Sequence, residues 1–109
     1  MNLGINYGDV EPTAWFNKTT VEMGATLLDV TEAVAKVKVK HYPGMGAFVE
    51  SIDGVENRNP NFWMWWTYSS LSWYEGPIAA DRYIVAEGET LFWYYEDTSV
   101  SPLPIPPAK

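Results

Sequence analysis

The chain has 109 residues, 47% hydrophobic and 19% charged, with fourteen acidic side chains against seven basic ones and a net charge of −7. A chain of this length closes one domain around one modest core, and its composition is that of a folded rather than a disordered protein. The acidic balance leaves no basic groove to track a phosphate backbone, which argues against nucleic acid, and the lack of cysteine excludes disulfides, thiolate zinc sites and cysteine nucleophiles.

In chain order, "LGINYG" at 3–8 alternates apolar Leu3, Ile5 and Tyr7 with small or polar neighbours and predicts a half-buried strand. "TAWFNKTTVE" at 13–22 reads as a second strand, so the chain opens with a hairpin. The period then changes. Leu27, Val30, Val34 and Val37 fall on one helical stripe, and Thr26 with Asp29 forms a capping-box pattern, predicting a helix over 26–36. "KVKVKHY" returns to period two, with Lys36, Lys38 and Lys40 on one side; it reads as a solvated edge that discourages strand pairing, or else as a patch for an anionic partner. His41 is expected in an exposed loop beside Tyr42. Pro43-Gly44 marks a turn, "AFVESI" a strand, and Asp53-Gly54 a hairpin turn.

The stretch "NFWMWWTYSS" at 61–70 holds Phe62, Trp63, Trp65, Trp66 and Tyr68. As a strand, Phe62, Met64, Trp66 and Tyr68 point one way and Trp63, Trp65 and Thr67 the other. "SSLSWYEGPIAAD" reads as a loop, "RYIVA" as a short strand, and "ETLFWYYED" as the last strand. A hairpin, one helix and several further strands make an α+β chain of the β-grasp type: a small mixed sheet with one helix packed on one face. One helix covers one face only, so the other must meet water, a partner or a ligand. Phe62, Met64, Trp66, Leu91, Trp93 and Tyr95 are assigned to the core, and Trp63, Trp65, Phe92 and Tyr94 to the open face. Residues 1–98 are expected to form the domain, and the proline-rich 99–109 an extended arm or linker.

"GMGAFVESIDGVEN", "FWMWW" and "GPIAADRYIVAEGETLFWYYED" together resemble the transcobalamin-like C-terminal domain family. The matching stretches are Gly46 to Gly54, Phe62 to Tyr68, Ala80-Asp81-Arg82-Tyr83 and Gly88 to Tyr95; "VEMGATLLDVTEAV" at 21–34 looks like the family's helix entry. The resemblance spans roughly residues 3–96 and implies a β-grasp module of the soluble-ligand-binding type. The chain departs from the pattern at Tyr68-Ser69-Ser70, where the family has an Asn-Gly turn, and at Pro77-Ile78-Ala79, which intervene before Ala80-Asp81. In the vertebrate cobalamin carriers the equivalent loop and the strand after the glycine face the corrinoid, and a larger helical domain closes the other half of the clamp.

The resemblance and the aromatic strand together nominate Met45, Phe48, Trp63, Trp65, Ser69, Leu71, Trp73 and Tyr74 as ligand-binding residues. No catalytic residue and no metal ligand is nominated: one histidine and no cysteine leave few nucleophile–base pairs, and the carboxylates lack calcium-loop spacing. The expected function is a non-catalytic extracytoplasmic binding module for a ring-rich small molecule, with cobalamin as the ligand that the resemblance implies. The alternative is a protein–protein or glycan interaction module of a cell-surface protein, with another domain or a second copy as partner. Asn17-Lys18-Thr19 is a glycosylation sequon, relevant only to a secreted chain. The start, "MNLGINYGDV", lacks the basic and apolar regions of a signal peptide, so the expected extracellular or cell-surface location requires a signal outside this sequence. No stretch is apolar enough to span a membrane.

Overall fold

The computed structural model describes residues 1–8, 14–16, 22–69, 71–76 and 78–99. The opening hairpin forms as expected: β1 (Asn2–Asn6) and β2 (Ala14–Phe16) pair antiparallel with Gly4 opposite Trp15. Glycine is required there by packing, because a Cβ on Gly4 would stand 2.6 Å from the Phe92 ring and 2.9 Å from that of Trp15. The sequon and most of the proline-rich arm lie outside the described residues.

Helix α1 spans Leu27–Val34. Its start is fixed by the capping box: Thr26 Oγ1 accepts the Asp29 N–H at 3.1 Å, and Asp29 Oδ2 accepts the Thr26 N–H at 3.0 Å. It stops two residues before the expected end at 36, at Ala35, whose backbone is extended. Leu27, Leu28, Val30 and Thr31 are buried. Thr31 is the polar member of that face, and both roles of its hydroxyl are used: it donates to the Leu27 carbonyl at 2.7 Å and accepts from Trp93 Nε1 at 2.8 Å.

β3 (Val37–Tyr42), β4 (Gly46–Ile52) and β5 (Val55–Glu56) form an antiparallel three-stranded sheet in that order. β3 is its edge, with Lys38, Lys40 and His41 exposed, so His41 sits on a strand and not in a loop. Asp53 and Gly54 turn β4 into β5 with positive φ angles of 50° and 85°, as the hairpin signal requires. Asp53 also pins its surroundings: Oδ1 accepts the Lys36 N–H at 2.9 Å, and Oδ2 accepts the Tyr7 hydroxyl at 2.5 Å.

β6 (Asn61–Ser69), β7 (Ser72–Glu75) and β8 (Thr90–Asp97) join the opening hairpin in a five-stranded sheet of order β2-β1-β8-β6-β7. β1 and β8 run parallel; the other pairs are antiparallel. The β-grasp expectation is therefore overturned. In place of one small sheet under one helix, the described residues are mostly strand and form two sheets with one α-helix. The helix and the β3–β5 sheet together cover one face of the five-stranded sheet. The physical reason lies in β4, whose Ala47, Val49 and Ile52 are buried while Phe48 and Glu50 are exposed. Such a half-buried strand lies over another layer as readily as it extends a sheet.

Two local expectations also change. Residues 69–80 do not form an open loop: Ser72–Glu75 pairs with the end of β6, and Leu71 turns the hairpin with φ 66°. "RYIVA" is not a strand. Ala80–Arg82 is a short 3₁₀ turn, and Ile84 makes a single bridge to Thr26.

The core lies between the five-stranded sheet and its cover, built from Leu3, Ile5, Leu27, Val49, Ile52, Trp63, Trp65, Leu91 and Trp93. Trp63 pairs with Tyr95 and Trp65 with Trp93, so these four share a face. The inward assignment of Leu91, Trp93 and Tyr95 agrees with this arrangement; that of Phe62, Met64 and Trp66 does not, because they pair with Glu96, Tyr94 and Phe92 on the other face. The outward assignment of Trp63 and Trp65 does not either: they are only 5% and 6% exposed. Nor is the second face open along its centre, where Phe92 is fully enclosed and Glu96 is 1% exposed.

Candidate functional site

A groove with a volume of about 360 Å³ opens between the two sheets, where the start of β4 faces β6 and the segment after β7. Its floor is made by Trp63, Trp65 and Trp93, and its walls include Ala47, Val49, Ala79 and Ala80. Met45, Phe48 and Ile78 line it and are exposed, so they form an apolar rim. Met45 is 60% exposed and sits in the β3–β4 turn between Gly44 and Gly46, whose φ angles of 78° and 95° suit glycine.

Hydrogen bonds to the backbone set the indole planes. Trp63 Nε1 donates to the Val55 carbonyl at 2.8 Å, tying β6 to the three-stranded sheet. Trp65 Nε1 donates to the Ile78 carbonyl at 2.9 Å, and the Trp65 carbonyl accepts the Gly76 N–H at 2.7 Å. Gly76 is held so close that a Cβ would stand 2.1 Å from the Trp65 ring. Trp65 also packs on Tyr83, with ring centroids 4.7 Å apart. With both N–H groups occupied, these indoles present carbon surface to the groove. That surface suits apolar rings better than groups that need hydrogen bonds.

The 3₁₀ turn is fastened to the same place. Asp81 Oδ1 accepts the Ala47 N–H at 3.0 Å. A Cβ on Gly46 would meet Asp81 Oδ1 at 2.7 Å and Arg82 Nε at 3.0 Å, so only glycine lets the turn come this close. Next to it, Tyr83 donates its hydroxyl to Glu89. Burial raises the Tyr83 pKa to about 12, and the hydrogen bond to Glu89 and its charge add to the shift. Tyr83 is therefore a neutral donor at physiological pH.

Of the nominated residues, Met45, Phe48, Trp63 and Trp65 meet at this groove. Ser69, Leu71, Trp73 and Tyr74 do not; they belong to the β6–β7 hairpin. Trp73 lies on the opposite face, edge-on to Tyr68 and Phe92 with centroids 5.0 and 5.5 Å away. Leu71 and Tyr74 are exposed. Arg82, Ile78 and Trp93 line the groove and had not been nominated. Arg82 falls within the Ala-Asp-Arg-Tyr motif, but only the 3₁₀ turn reveals which way its side chain runs.

A second unusual environment lies on the other face. Glu96 Oε1 accepts the Trp66 Nε1 proton at 2.8 Å, while Oε2 is buried with no hydrogen-bond partner among the described residues. Burial pushes the Glu96 pKa up to about 7; the Trp66 hydrogen bond opposes the shift and the Glu75 charge adds to it. Among the described residues, no group of three or more acidic or histidine side chains is placed to hold a metal ion. No helix among them is long and apolar enough to cross a membrane.

The family model described as a domain of unknown function (DUF4430) matches residues 24–97, which include every groove residue named above. No curated protein matches the chain.

Proposed function

The chain belongs to the DUF4430 family, and from that premise we propose that it is a non-catalytic, extracytoplasmic binding module that receives a ring-rich small molecule in the groove between its two sheets. The observation that carries this reading is the groove: three indole surfaces at its base, an exposed apolar rim, and a volume of about 360 Å³, within the range of small-molecule sites. Binding would come mainly from covering the exposed apolar rim of Met45, Phe48 and Ile78, above a floor whose Trp63 and Trp65 rings are already fixed by hydrogen bonds and so cost little further conformational entropy. The transcobalamin-like resemblance makes a corrinoid the first ligand to try, with the groove taking an edge of the ring system and a neighbouring domain supplying the rest of the enclosure. The extracellular or cell-surface location rests on the same resemblance.

Isothermal calorimetry with cobalamin and with a small neutral aromatic probe tests this reading. Saturable binding is expected for the wild type, weakened at least about tenfold in Met45→Glu, which adds an unpaired charge to the apolar rim. Met45 is exposed, so the variant should keep its fold. No heat with either compound, or equal binding by Met45→Glu, would overturn the proposal.

The same rim favours a second reading. Tyr42 and Phe48 stack edge-on 5.3 Å apart, and both are exposed beside Met45, a surface that would suit another domain, a second copy of the chain or a glycan. Sedimentation equilibrium separates self-association from ligand capture: a mass that doubles with concentration in the wild type, and stays single in Phe48→Glu, favours this reading.

A further inference from the structure

We infer that the ligand of this groove carries an anionic group, a carboxylate or its equivalent, that pairs with Arg82. The inference rests on the binding reading above and adds the chemical class of the ligand. Among the described residues that line the groove, Arg82 alone is charged. The indole N–H groups of the floor are spent. Trp63 Nε1 and Trp65 Nε1 donate to backbone carbonyls, and Trp93 Nε1 donates to Thr31. Asp81, the neighbouring carboxylate, accepts the Ala47 N–H on the β4 side.

Arg82 is exposed and makes no ion pair or side-chain hydrogen bond with any described residue. Its Nε lies 3.0 Å from where a Gly46 Cβ would stand, which places the side chain along the rim next to Met45. The Nε edge of the guanidinium therefore lies against the start of β4, while its two terminal amino groups, on an exposed side chain, remain available. A guanidinium in that position binds a carboxylate through two parallel N–H donors. In a chain of net charge −7, a free arginine beside apolar surface is also a local exception to the repulsion that the rest of the molecule presents to anions.

The test uses two probes with one ring body: naphthalene-1-acetate and its uncharged amide. Calorimetry at low salt is run on the wild type and on Arg82→Gln, with Met45→Glu as the control for location. The wild type should bind the acid about tenfold more tightly than the amide. Arg82→Gln should bind both equally, at the affinity the wild type shows for the amide. Raising the salt should close the gap in the wild type and leave amide binding unchanged. If both probes bind the wild type equally, with Met45→Glu weakening both, the groove reading stands and the anionic class is overturned. If the preference for the acid persists in Arg82→Gln, the assignment to Arg82 is overturned. If neither probe binds, the groove reading falls and this inference falls with it.

Discussion

Glu96 is the residue whose environment costs the fold most visibly. One carboxylate oxygen is held by Trp66 and the other is enclosed without a partner among the described residues, so the protonated form is favoured and the pKa rises from 4.5 to about 7. An acid with a raised native pKa binds its proton more tightly folded than unfolded. Stability therefore falls as pH rises from about 4.5 to 7, and the full penalty persists above that range. Glu96→Gln keeps an acceptor for the Trp66 indole and removes the charge. It is expected to be more stable than the wild type by about 1–3 kcal/mol at pH 8 and nearly equal to it at pH 4. Urea unfolding at pH 4, 6 and 8 checks this; a difference that does not change with pH would contradict it.

Among the elements, α1 shows how much a short signal can fix. Thr26 and Asp29 predict its start, and both cap hydrogen bonds form. Thr26→Ala should cost about 1 kcal/mol in denaturant midpoint experiments without unfolding the domain. The entry is also held by Leu27 N–H to the Tyr83 carbonyl and Val85 N–H to the Ala25 carbonyl, at 2.9 and 3.0 Å. Where a local pattern dictates the geometry, the element is legible: the capping box, the Asp53-Gly54 turn and the lysine edge of β3 all follow from neighbours in sequence. The face that a strand presents is different, because it depends on a distant partner. β6 and β8 are separated by a hairpin and a 3₁₀ turn, so no turn chemistry sets their register. That is why Trp63, paired with Tyr95, could not be placed inward from an aromatic run that is apolar on both faces. The β7 strand was hidden for a related reason: its turn uses Leu71 at φ 66°, where glycine or asparagine is the usual signal. Arg82 reaches the groove through a turn of three residues, too short to leave a periodic trace.

At the scale of the whole molecule, the two-sheet architecture moves the candidate site from a sheet face to the seam between sheets. Trp63 and Trp65 thereby serve both structure and surface: each is more than nine-tenths enclosed, yet both border the groove. Truncating either would confound loss of binding with loss of stability, so the rim residues Met45 and Arg82 are the cleaner probes. The parallel pairing of β1 with β8, from Asn2 opposite Thr90 to Asn6 opposite Tyr94, carries a mechanical consequence. A pulling force applied at Met1 and Ser99 would run along the two central strands in opposite directions. It would load their hydrogen bonds in shear, together, instead of peeling them apart one by one. Single-molecule stretching between those ends should therefore require a markedly higher rupture force than stretching across the β6–β7 hairpin, whose pairs from Trp66–Glu75 to Ser69–Ser72 would open in succession. Such a central clasp would keep the groove intact under tension.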